Sequence, residues 1–346
     1  MGESQAMRAY RSLTDKQRAH VDRTLSDMVR LNRELEDTRP DACPKCGAHG
    51  PFASRGHACS KHPKRIYECK RCGGRFVYDS GKVTSNLKIS QQELMSICTD
   101  TLSGVPIRET AKRLGRSPQC VFGNRHELLC LMEEALSDEG ARAEGTVEID
   151  GTFVLESQKG SKPKGRKGRK RGGSSGFRGI SHERACTITA TDRQGHEIFR
   201  TVSLGQPTSQ IIADNFGDGI ASGSEIYADG CHAYDGLAKA CGCSIYHLKG
   251  HKSYDRVRHL NTADSIHSQI KRAYARCRGV ATVYLNRYMP LFAWMRRFAG
   301  QERDAIEGRL AKMFRSVRIH ITREGLRRDY ITDLHAAQGN CLRPKS

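Results

Sequence analysis

Two cysteine pairs, Cys43-Pro-Lys-Cys46 and Cys69-Lys-Arg-Cys72, limit what the N-terminal part of this chain can fold into more sharply than any other feature. Each pair holds two thiols in one tight turn, and the glycine that follows, Gly47 or Gly73, permits the turn geometry. The 22 residues between the pairs form a loop whose closure costs little entropy. Four thiolates brought together in this way close a tetrahedral structural zinc site. Residues 41–80 are therefore expected to be a zinc ribbon with Cys43, Cys46, Cys69 and Cys72 as its ligands. His57, Cys59 and His62 lie within the loop, but the two pairs already fill the shell. The chain has 14 cysteines, and its first residues lack the apolar stretch of a signal peptide, which predicts a cytoplasmic protein with reduced thiols.

Charge narrows the class of partner. Lys and Arg number 58 against 38 Asp and Glu, a formal charge of +20. Neutralising phosphates releases condensed counterions, so such an excess predicts a nucleic-acid partner bound with a steep salt dependence. No run of about 18 apolar residues is present to suggest a membrane. The densest charge falls at 158–175, where Arg166, Lys167, Arg169 and Lys170 stand among glycines and serines with almost nothing apolar. This segment is expected to be a basic loop that touches DNA.

Residues 1–40 read as a charged amphipathic helical segment and 300–346 as a basic helical tail. Between them, 88–136 has the spacing of a DNA-binding helix-turn-helix. Ala111 allows close helix crossing, Gly115 supplies the turn and Val121 the apolar contact. Ser117 is a good cap and Pro118 a good first-turn residue for the second helix. Gln119, Asn124 and Arg125 would then face a groove.

From Gly145 onward the pattern changes to strands, "TVEIDGTFV", "RACTITATD", "HEIFRTVSL" and "SEIYADG", with helical stretches near 208–217, 231–241 and 261–278. The first strand is unusual. Val147, Ile149 and Phe153 share one face, while Glu148, Asp150 and Thr152 share the other. A second acid, Asp229, follows the apolar Ile226-Tyr227-Ala228, as at a strand end where ligands commonly sit. A third, Asp264, falls in the first turn of a helix that Asn261 can cap, with Ser268 and Lys271 on the same face. Glu148 ranks below these as a ligand because it lies deeper in its strand. His182, His232 and His267 read as surface or packing residues, and Cys241 and Cys243 as core.

Three of these stretches, "GTVEIDGTF", "IYADGCHAY" and "LNTADSIHSQIKR", resemble the core of ISXO-like bacterial insertion-sequence transposases, which join a zinc ribbon and a helical DNA-binding segment to a retroviral-integrase-like domain. The resemblance covers residues 40–298 and implies a mixed-sheet α/β core of ribonuclease H-like fold over 145–299. It implies that Asp150, Asp229 and Asp264 are the acidic triad and that Lys271 contacts DNA phosphate. In that family an acidic residue usually follows the first aspartate, where Gly151 stands here, and the third position is commonly Glu or Asn, so that Asn261 is an alternative to Asp264.

The implied chemistry is phosphodiester cleavage and transfer with two Mg²⁺ (or Mn²⁺) ions. Asp150 would bridge both ions, Asp229 would bind one, and Asp264 or Asn261 the other. The implied partners are double-stranded DNA, as element ends and target, and further copies of the chain in a dimer or larger assembly. The implied setting is a bacterial cytoplasm, at the nucleoid when bound. A catalytically inactive DNA-binding regulator on the same fold is the alternative.

Overall fold

A computed structural model of the chain describes residues 5–22, 39–58, 64–80, 89–137, 142–160, 173–248, 256–277, 279–298, 301 and 303–316. Cys59, His62 and the basic-loop residues Arg166, Lys167, Arg169 and Lys170 lie outside them, as does most of the tail expected at 300–346. Among the described residues, no helix is long and apolar enough to cross a membrane. The chain divides into two compact units, one holding residues 1–99 with 298–320 and the other built on 100–297.

In the first unit, α1 (Gln5–Arg11) precedes a three-stranded antiparallel sheet of β1 (Phe52–His57), β2 (Arg65–Cys69) and β3 (Arg75–Val77), in that order. Tyr67 and Phe76 are buried, and Phe52 meets Phe76 edge-on at 5.6 Å between ring centres. So small an apolar cluster gives a sheet of this size little stability of its own, and the two cysteine turns pack directly against it. Helix α2 (Gln91–Leu102) spans the boundary between the units, and α9 (Arg303–Ser316) belongs to the first.

The second unit opens with α3 (Ile107–Leu114) and α4 (Pro118–Ser137). Gly115 ends α3 in the left-handed conformation at φ 62°, and Ser117 Oγ accepts the Cys120 N–H at 3.2 Å to cap α4. Ala111 and Val121 are buried, as their spacing predicts. The sequence suggested a separate module over 88–136, but this hairpin is part of the same compact unit as the sheet, with α4 packed along α8 (Leu285–Arg297).

The sheet itself contains β4 (Thr146–Leu155), β5 (Arg184–Asp192), β6 (Glu197–Leu204), β7 (Glu225–Ala228) and β8 (Ser244–His247), in the order β6-β5-β4-β7-β8. The first three strands are antiparallel, and β7 and β8 run parallel to β4. This is the mixed-sheet α/β arrangement expected from the sequence. The four-residue edge strand β8 was not anticipated. On one face, Ile149, Ile188 and Ala190 pack with Ile212 and Phe216 of α5 (Ser209–Phe216) and Leu237 of α6 (Asp235–Cys241). The opposite face, carrying Glu148, Asp150 and Thr152 beside Thr191, Thr189 and Thr187, is covered by α7 (Asn261–Arg276). Burial on both faces explains why β5 is buried from Ala185 to Asp192. At the β6 edge, Asn286 imitates a neighbouring strand: its Oδ1 accepts the Thr201 N–H at 2.6 Å and its Nδ2 donates to the Thr201 carbonyl at 2.9 Å.

Candidate active site and zinc centre

In the first unit, Cys43 Sγ lies 3.8 Å from Cys72 Sγ, and Cys46 Sγ lies 3.8 Å from Cys69 Sγ. All four sulfurs fall within 4.8 Å of one another. Zinc–sulfur bonds of about 2.3 Å in a tetrahedron require sulfurs about 3.8 Å apart, so the donor set fits zinc as it stands. The turns are built as the sequence suggests: Gly47 and Gly73 adopt φ 71° and 66°, and their N–H groups donate to the Cys43 and Cys69 carbonyls. Burial opposes ionisation of Cys43, but the N–H groups of Lys45 and Cys46 and the neighbouring thiols outweigh it and bring its pKa down to about 7. At Cys46, the Ala48 N–H favours the thiolate, yet Cys72, burial, Cys43 and Cys69 together push the thiol up to about 11. Cys43 therefore gives up its proton more readily than an ordinary thiol, and Cys46 keeps its own more firmly. Residue His57 is exposed at the end of β1.

In the second unit, strand register brings the first two acids together. Ile149 pairs with Ala228 in the parallel β4–β7 ladder, so Asp150 and Asp229 are the next residues on adjacent strands. Asp229 is held by its own turn, its Oδ1 accepting the Cys231 N–H at 3.0 Å. The third acid comes from the helix covering this face. Asp264, His267 and Lys271 lie at i, i+3 and i+7 of α7, one stripe of the helix. Carboxylate oxygens of Asp150 and Asp264 and a ring nitrogen of His267 lie within 4.8 Å of one another. Asn261 opens the helix and is exposed, one turn before Asp264.

The electrostatics of this cluster are tense. Burial pushes Asp150 up to about 7, and the charges of Asp229 and Asp264 add to the effect, while the Gly151 N–H and Lys271 pull the other way. Burial and the Lys271 ammonium bring His267 down to about 4. Its Nδ1 stands 3.5 Å from Asp150 Oδ2, and its Nε2 is buried without a hydrogen-bond partner among the described residues. A neutral imidazole at that distance makes no ion pair with Asp150. Crowded carboxylates beside an uncommitted ring nitrogen form a donor set that fits a hard or borderline divalent cation.

Glu148 has a role that its position in the strand concealed. It is 1% exposed. Its Oε2 accepts the N–H groups of Thr262 and Ala263 at 2.9 and 3.0 Å, capping α7 from the sheet. Its Oε1 pairs with the Arg193 guanidinium, which also donates to the Val257 carbonyl at 2.6 Å. Glu148 is thus a positioning residue that sets the helix carrying Asp264 against the strand carrying Asp150. The alternation of "VEID" places both acids on one face, which was the available signal. His267 was missed likewise, although its helical stripe with Asp264 and Lys271 is visible in the spacing.

Gly151, where the resembling family carries an acid, faces the other side of the sheet. A Cβ there would lie 3.2 Å from the Tyr234 hydroxyl and 3.7 Å from Cys186 Sγ. The proposed groove-facing residues divide. Gln119 is exposed, whereas Asn124 donates back to the Cys120 carbonyl at 2.8 Å. Arg125 is a correction: it is 2% exposed and donates to the Val105 carbonyl at 2.9 Å, because its side of α4 is the side that packs inward.

Residues 142–297 match the ISXO2-like transposase domain. No curated protein matches the chain. Among solved structures, the chain is similar to the simian T-cell lymphotropic virus intasome in complex with PP2A regulatory subunit B56 gamma, at 9% identity and TM-score 0.28 over 66% of this chain and 78% of that one. It is similar to the Mos1 strand transfer complex at 11% identity and TM-score 0.25, over 67% and 76% of the two chains.

Proposed function

We propose, from the premise that residues 142–297 are an ISXO2-like transposase domain, that this protein binds the ends of a DNA element and cuts and joins DNA strands with divalent metal ions. The observation that supports this most is the meeting of Asp150, Asp264 and His267 on the covered face of the sheet, with Asp229 next to Asp150 in register and Lys271 on the same helical stripe.

In this reading Asp150 lies centrally and Asp229 and Asp264 flank it, with Mg²⁺ or Mn²⁺ as the cation. Asp150, Asp229 and Asp264 would hold the cation, which would supply Lewis-acid polarisation of the phosphodiester oxygens. Asp264 is favoured over Asn261 as the third ligand because its carboxylate reaches Asp150. Lys271, exposed at the rim, would hold a DNA phosphate, and its charge already bears on Asp150. Glu148 would keep α7 in place while like charges gather beneath it. The four-cysteine ribbon would carry a structural zinc, and Gln119 on α4 would lie against DNA. Joining two element ends calls for at least two copies of the chain.

A strand-transfer assay with end-containing DNA tests the proposal. Wild type is expected to cleave and join in Mg²⁺ or Mn²⁺ and to be inactive in chelator. Asp150→Asn and Asp229→Asn should each lose about 1,000-fold or more in activity while binding DNA normally. Binding without any cleavage by the wild type would overturn the assignment and identify a regulator.

A further inference from the structure

Beside the carboxylate cluster, at the ends of the parallel strands, a second group of side chains converges from three separate elements. His232 lies in the short turn after β7, Asp235 begins α6, and His247 ends β8. His232 Nδ1 is 3.1 Å from Asp235 Oδ2, and His247 Nε2 is 2.6 Å from Asp235 Oδ1. One ligand atom from each lies within 4.8 Å of the others, and the imidazole rings stand 4.9 Å apart.

We propose that His232, Asp235 and His247 form a binding site for a zinc-class divalent transition metal, distinct from the four-cysteine centre and from the Asp150 cluster. The chemistry of the donors selects the ion. Two imidazoles and one carboxylate suit Zn²⁺, Co²⁺ or Ni²⁺ better than Mg²⁺, which prefers an all-oxygen shell. Bonds of about 2.0–2.2 Å hold neighbouring ligand atoms roughly 3–3.5 Å apart, close to the spacing already present. The side chain of His232 is 85% exposed and free to turn onto the ion, and solvent is available to complete the shell.

The orientation of His247 is the second, independent observation. Its Nδ1 lies 2.8 Å from the Asp229 main-chain carbonyl. A carbonyl can only accept, so Nδ1 carries a proton; the Asp235 carboxylate also only accepts, so in the metal-free protein Nε2 donates to it, and a cation bound here would take the place of that proton on Nε2. A ligating histidine commonly has its other nitrogen fixed in this way. The same bond ties the site to Asp229, so an ion bound here would link the ends of β7 and β8 and hold the Asp229 backbone.

The test is zinc stoichiometry by equilibrium dialysis of the full chain in excess Mg²⁺. Wild type is expected to retain about two equivalents, one of them lost on Cys43→Ser/Cys46→Ser and the other on His232→Ala/His247→Ala, with zinc affinity for that second ion falling by at least about tenfold in His232→Ala alone. His232 is exposed enough that its variant should melt like wild type without metal. Co²⁺ offers a second readout: the His232→Ala/His247→Ala variant should lose a Co²⁺ band set that lacks sulfur charge-transfer absorption. Equal stoichiometry in wild type and the double histidine variant would overturn the site. A second ion that disappears with Asp150→Asn and survives His232→Ala/His247→Ala would overturn it too, since that ion belongs to the carboxylate cluster.

Discussion

The Glu148 carboxylate, fixed in the central strand, accepts the N–H of Ala263 in the first turn of α7 at 3.0 Å. Asp150 stands two residues further along the strand, and Asp264 is the next residue along the helix. A buried anion at a helix start satisfies donors that would otherwise be orphaned and interacts favourably with the helix dipole. Glu148→Ala should therefore destabilise the second unit by about 3 kcal/mol, as expected when one partner of a buried ion pair is removed. Glu148→Gln keeps the shape and one acceptor and should recover part of that loss. Urea denaturation measures the stability. Mn²⁺ titration of each variant checks positioning, since a helix free to shift should bind the ion at least about tenfold more weakly.

Asp264 and Asn261 are separable. The Asp264 carboxylate lies within 4.8 Å of a carboxylate oxygen of Asp150, and Asn261 lies one turn earlier on the same helix; both residues are exposed. Asp264→Asn is expected to lower the joining rate about 100-fold or more and Asn261→Ala less than about tenfold, by analogy with loss of a metal-binding group and of a neighbouring residue. Reversal of that order in single-turnover assays would assign the ligand to Asn261.

Metal binding should be coupled to pH through Asp150. Its pKa of about 7 means that below neutrality an incoming cation must displace a proton. Mg²⁺ affinity is expected to rise about tenfold per pH unit up to pH 7 and then flatten. Calorimetry in buffers of different ionisation enthalpy would detect the released proton, and Asp150→Asn should abolish the slope.

Stability of the metal-free protein carries two opposing pH terms. Burial, with lesser help from Lys271 for His267 and from Arg287 and Arg125 for His126, holds these histidines at about 4 and about 3, below their ordinary 6.5. Between those values the unfolded chain carries protons that the folded one lacks, so stability rises with pH. Asp150 acts in the opposite sense from 3.8 to about 7, because there the folded state keeps a proton that the unfolded state has released. Asp150→Asn should therefore show a steeper gain in stability from pH 4 to 6.5 than wild type, read from urea melts across that range.

Gly151 and Tyr234 make a tight pair across the other face of the sheet. Gly151→Ala should cost about 1–2 kcal/mol, as a methyl forced into a filled core does. In a Tyr234→Phe background, which removes the hydroxyl 3.2 Å from the new Cβ, the penalty should shrink. A double-mutant cycle with no coupling would refute the contact.

Much of this architecture was visible in spacing alone. The period of two in "TVEIDGTFV" assigned Glu148 and Asp150 to one face, and both lie there. The two cysteine pairs sit at zinc-compatible distances. Spacing says which face a side chain occupies but nothing about which distant element covers that face. Glu148 consequently read as a minor acid until α7 was seen above it, and Arg125 as groove-facing until α4 was seen to turn it inward. Strand β8 escaped notice because it is only four residues long, too short for its alternation of exposed and half-buried positions to stand out.

The order in which the sheet's covering parts leave the ribosome has a consequence. A nascent chain that has emerged only through β8 owns Asp150 and Asp229 but neither Asp264 nor the main-chain donors that engage Glu148. The carboxylate cluster, and the cap that seats its helix, can therefore assemble only once the first turn of α7 has been made, when most of the second unit has already emerged.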